Sequence, residues 1–229
     1  MKTFLLTLSS LLLFAVASAQ HRPAYRMMVY ESPGYRPDGQ TFMTMNHYTL
    51  YQDGSIYKSY LTGRSPAGLV PAASKRAEPG NWGSWDEQEN GMLINWPEAT
   101  YKTETWKRGK YYKVLPGSRN DRLTGKYVLL TGQLSKRHSI WQSVHLLEFN
   151  ANGSLLAEAG GIGASKGKIQ TFAGRYTIDG YSITFRLTNN QTETFSFYFM
   201  PARRGSDARE ENSTTIGIGQ TYFIKKADM

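Results

Sequence analysis

The chain has 229 residues, 40% of them hydrophobic and 13% aromatic, with a formal net charge of +9. That is enough apolar material for one large or two small folded domains and too much for a disordered chain. Cysteine is absent, which excludes disulfides, thiolate metal sites, a thiol nucleophile and a lipid-bearing cysteine, and points to a bacterial exported protein held together by packing alone.

The first segment reads as a leader. Lys2 gives it a positive start, Phe4 to Val16 is an apolar run, and Ala17-Ser18-Ala19 is an A-x-A cleavage site, the pattern of a secretory signal peptide over residues 1–19. The run is too short for a bilayer-spanning helix, which needs ~20 apolar residues. The mature chain is then expected to start at Gln20 and to be secreted or periplasmic. No later stretch is long and apolar enough to cross a membrane. The sequons at Asn152, Asn190 and Asn212 matter only in a eukaryotic secretory pathway.

Beyond the leader the chain reads as strands and turns. Leu50 to Lys58, LYQDGSIYK, is echoed 99 residues later by FNANGSLLA, Phe149 to Ala157. Asp53-Gly54 and Asn152-Gly153 are the dipeptides a tight hairpin demands, with apolar residues on either side. The echo extends in order: Val29 with Val128, Gly83-x-Trp85 with Gly174-x-Tyr176, and Asn90-Gly91 with Asp179-Gly180. Thr103-Glu104-Thr105-Trp106 then matches Thr192-Glu193-Thr194-Phe195, and Gly109 to Val114 matches Gly219 to Ile224. The conserved order argues for an internal duplication. Period-two alternation marks Ser182 to Leu187 and Phe195 to Phe199 as strands with one apolar face, and no amphipathic helix of three turns is found. Extra residues between Tyr60 and Trp82, and again from Pro201 to Ser213, read as surface loops. A turn-rich stretch, Pro116 to Asp121, divides the chain near Gly117. The expected organisation is a leader over 1–19, a first β unit over 20–116 and a second over 117–229.

These motifs, F-x-x-[DN]-G-x-[ILY] followed by G-x-[YW]-x-x-x-G-x-x-[IL] and a closing G-x-x-Y strand, resemble the small lipocalin-like β-barrel proteins that bacteria export. The resemblance spans Val29 to Leu115 and Leu123 to Lys226. It implies an all-β chain of two tandem antiparallel barrels or half-barrels, with an interior suited to a small apolar ligand. The alternative is one larger barrel or sandwich shared by both halves.

Residues with chemistry are sparse. None of His21, His47, His138 and His145 has metal-ligand spacing, and His145 reads as a structural histidine. Glu104 and Glu193 are expected to face water, on the strand side opposite Trp106 and Phe195. Asp86 to Glu89 reads as a turn rather than a calcium loop. Gly160 to Lys168 fails the phosphate-loop spacing and reads as a flexible loop. No catalytic constellation and no cofactor are expected. Trp and Tyr faces stack on sugar rings, line apolar pockets or fill cores. Four of the five tryptophans fall in the first half, so Trp82, Trp85 and Tyr60, beside the long loop, are the candidate ligand-binding residues. The expected partner is a small apolar or glycan-like ligand. The alternative is a structural or interaction protein of the cell envelope that meets an anionic surface through its positive charge. Nucleic acid is not expected for an exported chain.

Overall fold

The computed structural model describes residues 25–35, 38–131, 140–160, 169–201 and 214–227. The leader, Gln20, His21, His138, Asn212 and most of the Gly160–Lys168 and Pro201–Ser213 loops lie outside the described residues.

The fold is all-β and built from two separate sheets, not one shared barrel. The first contains β1 (Tyr25–Tyr35), β2 (Thr41–Tyr51), β3 (Ser55–Tyr57), β4 (Trp82–Gln88), β5 (Gly91–Asn95), β6 (Thr103–Lys107) and β7 (Tyr111–Lys113), in the order β6-β5-β4-β3-β2-β1-β7. The second contains β8 (Gly125–Thr131), β9 (Val144–Phe149), β10 (Ser154–Ala159), β11 (Gln170–Asp179), β12 (Ser182–Leu187), β13 (Thr192–Phe199), β14 (Thr215–Ile218) and β15 (Thr221–Lys225). It closes as an eight-stranded antiparallel barrel. Asp86 to Gln88, expected in a turn, continue β4; the reversal comes immediately after, with Gln88 opposite Gly91.

The two hairpins that echo in sequence are built alike. Leu50 lies opposite Ile56, and Phe149 opposite Leu155. Gly54 and Gly153 turn the chain at φ of 79° and 80°, a left-handed conformation that favours glycine. The Asp53 and Asn152 side chains each accept the backbone N–H two residues on, both at 2.9 Å. The register carries over across neighbouring strands: Arg26 faces Leu50 where Gly125 faces Phe149, Ile56 faces Gly83 where Leu155 faces Gly174, and Trp85 faces Ile94 where Tyr176 faces Phe185. The last sequence match slips by two residues. Val29 faces Tyr112, while Val128 faces Ile224 and not Tyr222.

One strand separates an open sheet from a closed barrel. In the second unit β14 lies between β13 and β15. In the first, the three-residue turn Arg108-Gly109-Lys110 leads directly from β6 to β7. The two ends of the first sheet therefore meet at that turn and do not pair as a ladder.

The sheets pack through their outer walls. Met27 and Val29 of β1, with Tyr112 and Val114, are buried against Tyr181, Tyr198 and Tyr222 of the barrel. Tyrosine hydroxyls fasten the contact: Tyr222 donates to the Met45 carbonyl at 2.6 Å and Tyr181 to that of Val114 at 3.1 Å. The loop after Tyr60, expected at the surface, takes part. It carries the short helices α1 (Ser59–Thr62) and α2 (Pro71–Ala77). Between them, Gly63 accepts the Ser196 amide at 2.9 Å and the Ser65 hydroxyl hydrogen-bonds that of Ser182. Leu115 and Phe199 exchange backbone hydrogen bonds at 3.0 and 2.9 Å. Gly217 of β14 lies under the fully buried Tyr198 ring, where an added Cβ overlaps the ring atoms. Overpacking of that kind costs about 1–3 kcal/mol, so Gly217→Ala is expected to lower the unfolding free energy by that amount in a urea titration.

Candidate functional site

The inner face of the first sheet carries the residues that correspond by register to the barrel interior. Met28, Tyr48, Leu50, Ile56, Met92, Ile94, Trp96 and Trp106 form its buried floor, and Tyr30, Tyr60, Trp85 and Tyr111 flank it, partly exposed. Trp106, in the last strand of the sheet, stacks on Tyr30 of β1 at 4.6 Å and 6°, so ring stacking bridges the opening that β14 closes in the barrel. Tyr48 meets Trp106 at 4.6 Å and Tyr60 edge-on at 5.2 Å.

Two charges sit on this aromatic floor. Lys58, just past β3, holds its ammonium 4.3 Å from the Trp96 ring centre, a cation–π geometry. Glu104 of β6 accepts the Trp106 indole N–H at 3.1 Å. The expectation that Glu104 faces away from Trp106 is overturned: residues two apart on a strand share a face. The Glu104 charge is felt across the site. Burial and then Glu104 raise the Tyr30 pKa. Burial lowers that of Lys58, against the pull of Glu104. Burial, then the neighbouring Tyr60 and Glu104, push Tyr48 far above the ordinary phenol range. The arrangement offers flat apolar faces, phenol hydroxyls kept protonated, one cation and one anion. It suits an amphipathic ring that stacks and accepts or donates hydrogen bonds at its edge.

The sheet divides the three residues singled out from sequence. Tyr60 and Trp85 flank the inner face, whereas Trp82 is buried on the other face with Tyr51 and Tyr57. Its indole N–H donates to Ser74 of α2 at 3.0 Å. Trp82 and Trp85 are three apart in β4, an odd spacing that places them on opposite sides. Trp82 is thus a packing residue beneath α2. Trp85 also borders a groove of about 300 Å3 with Tyr25, Arg26, Leu50, Tyr51 and Gln52, where the Arg26 guanidinium lies 5.0 Å from the Trp85 ring centre. Tyr30, Tyr48, Lys58, Trp96, Glu104 and Trp106 were missed. Their signal was in the register: counting outward from each D/N-G turn assigns every one of the strand residues a face.

The barrel interior is occupied by side chains. Tyr127, Phe149, Tyr176, Phe185, Phe195, Phe197, Phe199 and Phe223 belong to one buried cluster with aliphatic neighbours from β9, β10, β11, β12 and β14, and Trp141 enters it from the turn Ile140–Ser143. His145 lies on β9 with its imidazole 3.9 Å from the Glu158 carboxylate. Among the described residues, no group of three or more His, Asp or Glu is placed to hold a metal, and no helix is long and apolar enough to cross a membrane. No protein-family model, curated protein or solved structure matches the chain.

Proposed function

We propose that the chain is an exported, lipocalin-like binding protein made of two copies of one module, and that the ligand is held on the inner face of the first sheet. The observation that carries this reading is the contrast between equivalent faces. Both faces have a buried floor, but the partly exposed residues at the barrel's are Leu129, Ile140 and Phe172, whereas those of the first sheet are the polar-edged aromatics Tyr30, Tyr60, Trp85 and Tyr111, beside Lys58 and Glu104. The shared register of the two sheets supports common ancestry of the units. Stacking faces combined with hydrogen-bonding edges favour a glycan-like or otherwise amphipathic ring as ligand.

The test is a tryptophan-fluorescence titration of the mature chain against neutral oligosaccharides and fatty acids, with native mass spectrometry of protein purified from its own host. A saturable change is expected with one class. Tyr60→Ala and Glu104→Gln are each expected to weaken it by about tenfold, the effect of losing one well-placed contact, while Trp82→Phe leaves it unchanged. No bound mass and no fluorescence response with either class would leave the envelope-scaffold reading in its place.

A further inference from the structure

A second candidate site lies on the barrel, away from the aromatic face. Arg122, Asn152, Gly153, Arg175, Tyr176, Thr177, Thr184 and Arg186 line a groove of about 290 Å3. Among the described residues three arginines line it and no acid does. Arg175 of β11 and Arg186 of β12 are direct cross-strand partners, followed by the pair Thr177 and Thr184. Like charges directly opposite on one face repel and destabilise a sheet. Among the described residues neither arginine has an acidic partner: Arg175 donates to the Asn152 carbonyl at 3.2 Å. Among the described residues Arg122 donates to carbonyls, those of Arg119 at 2.9 Å and Asp121 at 2.8 Å. By contrast, the nearby Arg119 has its own carboxylate, Asp179, at 2.8 Å.

The scaffold does not impose this arrangement. At the equivalent register of the first sheet, Ser84 faces Asn95 and Asp86 faces Leu93. The like-charge pair is particular to the second unit. A guanidinium fork is shaped to grip a tetrahedral oxyanion by two hydrogen bonds; the Thr177 hydroxyl adds a donor to the same wall, and that of Thr184, 2.9 Å from Thr194, adds another when Thr194 donates to it.

We propose that this groove binds a phosphate or sulfate group, with Arg175 and Arg186 as the clamp and Arg122 closing one side. An anion bound there cancels the cross-strand repulsion between the two guanidiniums. This inference is independent of the ligand assigned to the aromatic face.

Calorimetric titration of the full mature chain with inorganic pyrophosphate at low salt tests it. Co-sedimentation with phosphatidylcholine vesicles containing phosphatidic acid separates a lipid headgroup from a free anion as the source. Binding in either arm is expected to fall about tenfold or more in Arg175→Gln/Arg186→Gln, because charged hydrogen bonds are lost. It is expected to persist in a charge-matched control, Lys102→Gln/Lys110→Gln. The unliganded arginine variant should melt no lower than the parent, which shows that it folds. Absence of binding in both arms, equal binding by the arginine variant, or an equal loss in the lysine control overturns the site.

Discussion

Phe185→Ala is expected to lower the unfolding free energy by about 3–5 kcal/mol, the cost of emptying a phenylalanine site in a packed core. Phe185 is fully buried at the centre of the barrel. It stacks on Trp141 at 4.9 Å and 22° and meets Phe195 at 5.9 Å and Phe149 at 6.4 Å. Each of those rings is itself buried among strands, so none is free to swing into the space. In thermal denaturation the change corresponds to a fall of roughly 10 °C for a chain of this size. Denaturant titration should show the same loss with little change in slope. The consequence for function is sharper than the magnitude. If the barrel is support and the first sheet is the receptor, Phe185→Ala must leave the fluorescence response of the aromatic face intact at temperatures where it stays folded. A stability loss below about 1 kcal/mol would mean that the ring sits in a yielding space rather than a packed one, and the filled-barrel argument would fail.

The second large effect is a loss of stability in mild acid that His47→Leu removes. His47 sits on β2 opposite Val29, in the wall between sheet and barrel, with its ring 5.3 Å from that of Tyr198. It is 1% exposed, and its ring nitrogens make no well-formed hydrogen bond to the described residues. The Tyr198 hydroxyl is buried beside it, next to Tyr222. Burial lowers the His47 pKa to about 3, opposed weakly by the Gly219 backbone. The unfolded chain, titrating at about 6.5, therefore binds the proton that the folded chain refuses. The contribution is present in full above pH ~6.5, erodes as the pH falls and is gone below pH ~3. Between pH ~6.5 and ~4.5 the loss amounts to about 2–3 kcal/mol, at 1.36 kcal/mol per pH unit. Urea titrations across that range should show this slope in the parent and its absence in His47→Leu. An equal slope in both would assign the acid lability elsewhere.

The legibility of this fold was uneven for physical reasons. Turns were legible because Asp53-Gly54 and Asn152-Gly153 need a left-handed backbone that few other residues adopt, and the alternation of Ser182 to Leu187 marks one buried face. What the sequence hid was closure. Whether seven strands stay open or eight close depends on one short strand, Thr215–Ile218, and a four-residue TIGI carries no signal of its partners. The site was half legible. Tyr60 and Trp85, chosen as aromatics near a long loop, do lie on one face of the sheet, yet proximity in sequence also drew in Trp82, which parity places on the far side. The arginine groove was legible in principle. The tight turn at Asp179-Gly180 sets Asp179 opposite Ser182, and counting outward by twos brings Arg175 against Arg186. The buried histidine was not, because its isolation arises only when two separate sheets press together.

The manner in which the two sheets dock has an evolutionary corollary. Tyr222 grips the main chain of Met45 and Gln220 that of Leu61, each at 2.6 Å. A carbonyl is the same whichever amino acid bears it, so Leu61 is at liberty to drift without loosening the clasp, whereas Met45 is also held by its side chain, which packs in the interface and meets the Tyr112 hydroxyl at 3.7 Å. If the first sheet is the receptor, such a backbone clasp lets its ligand-facing residues vary while its bearing on the barrel stays fixed.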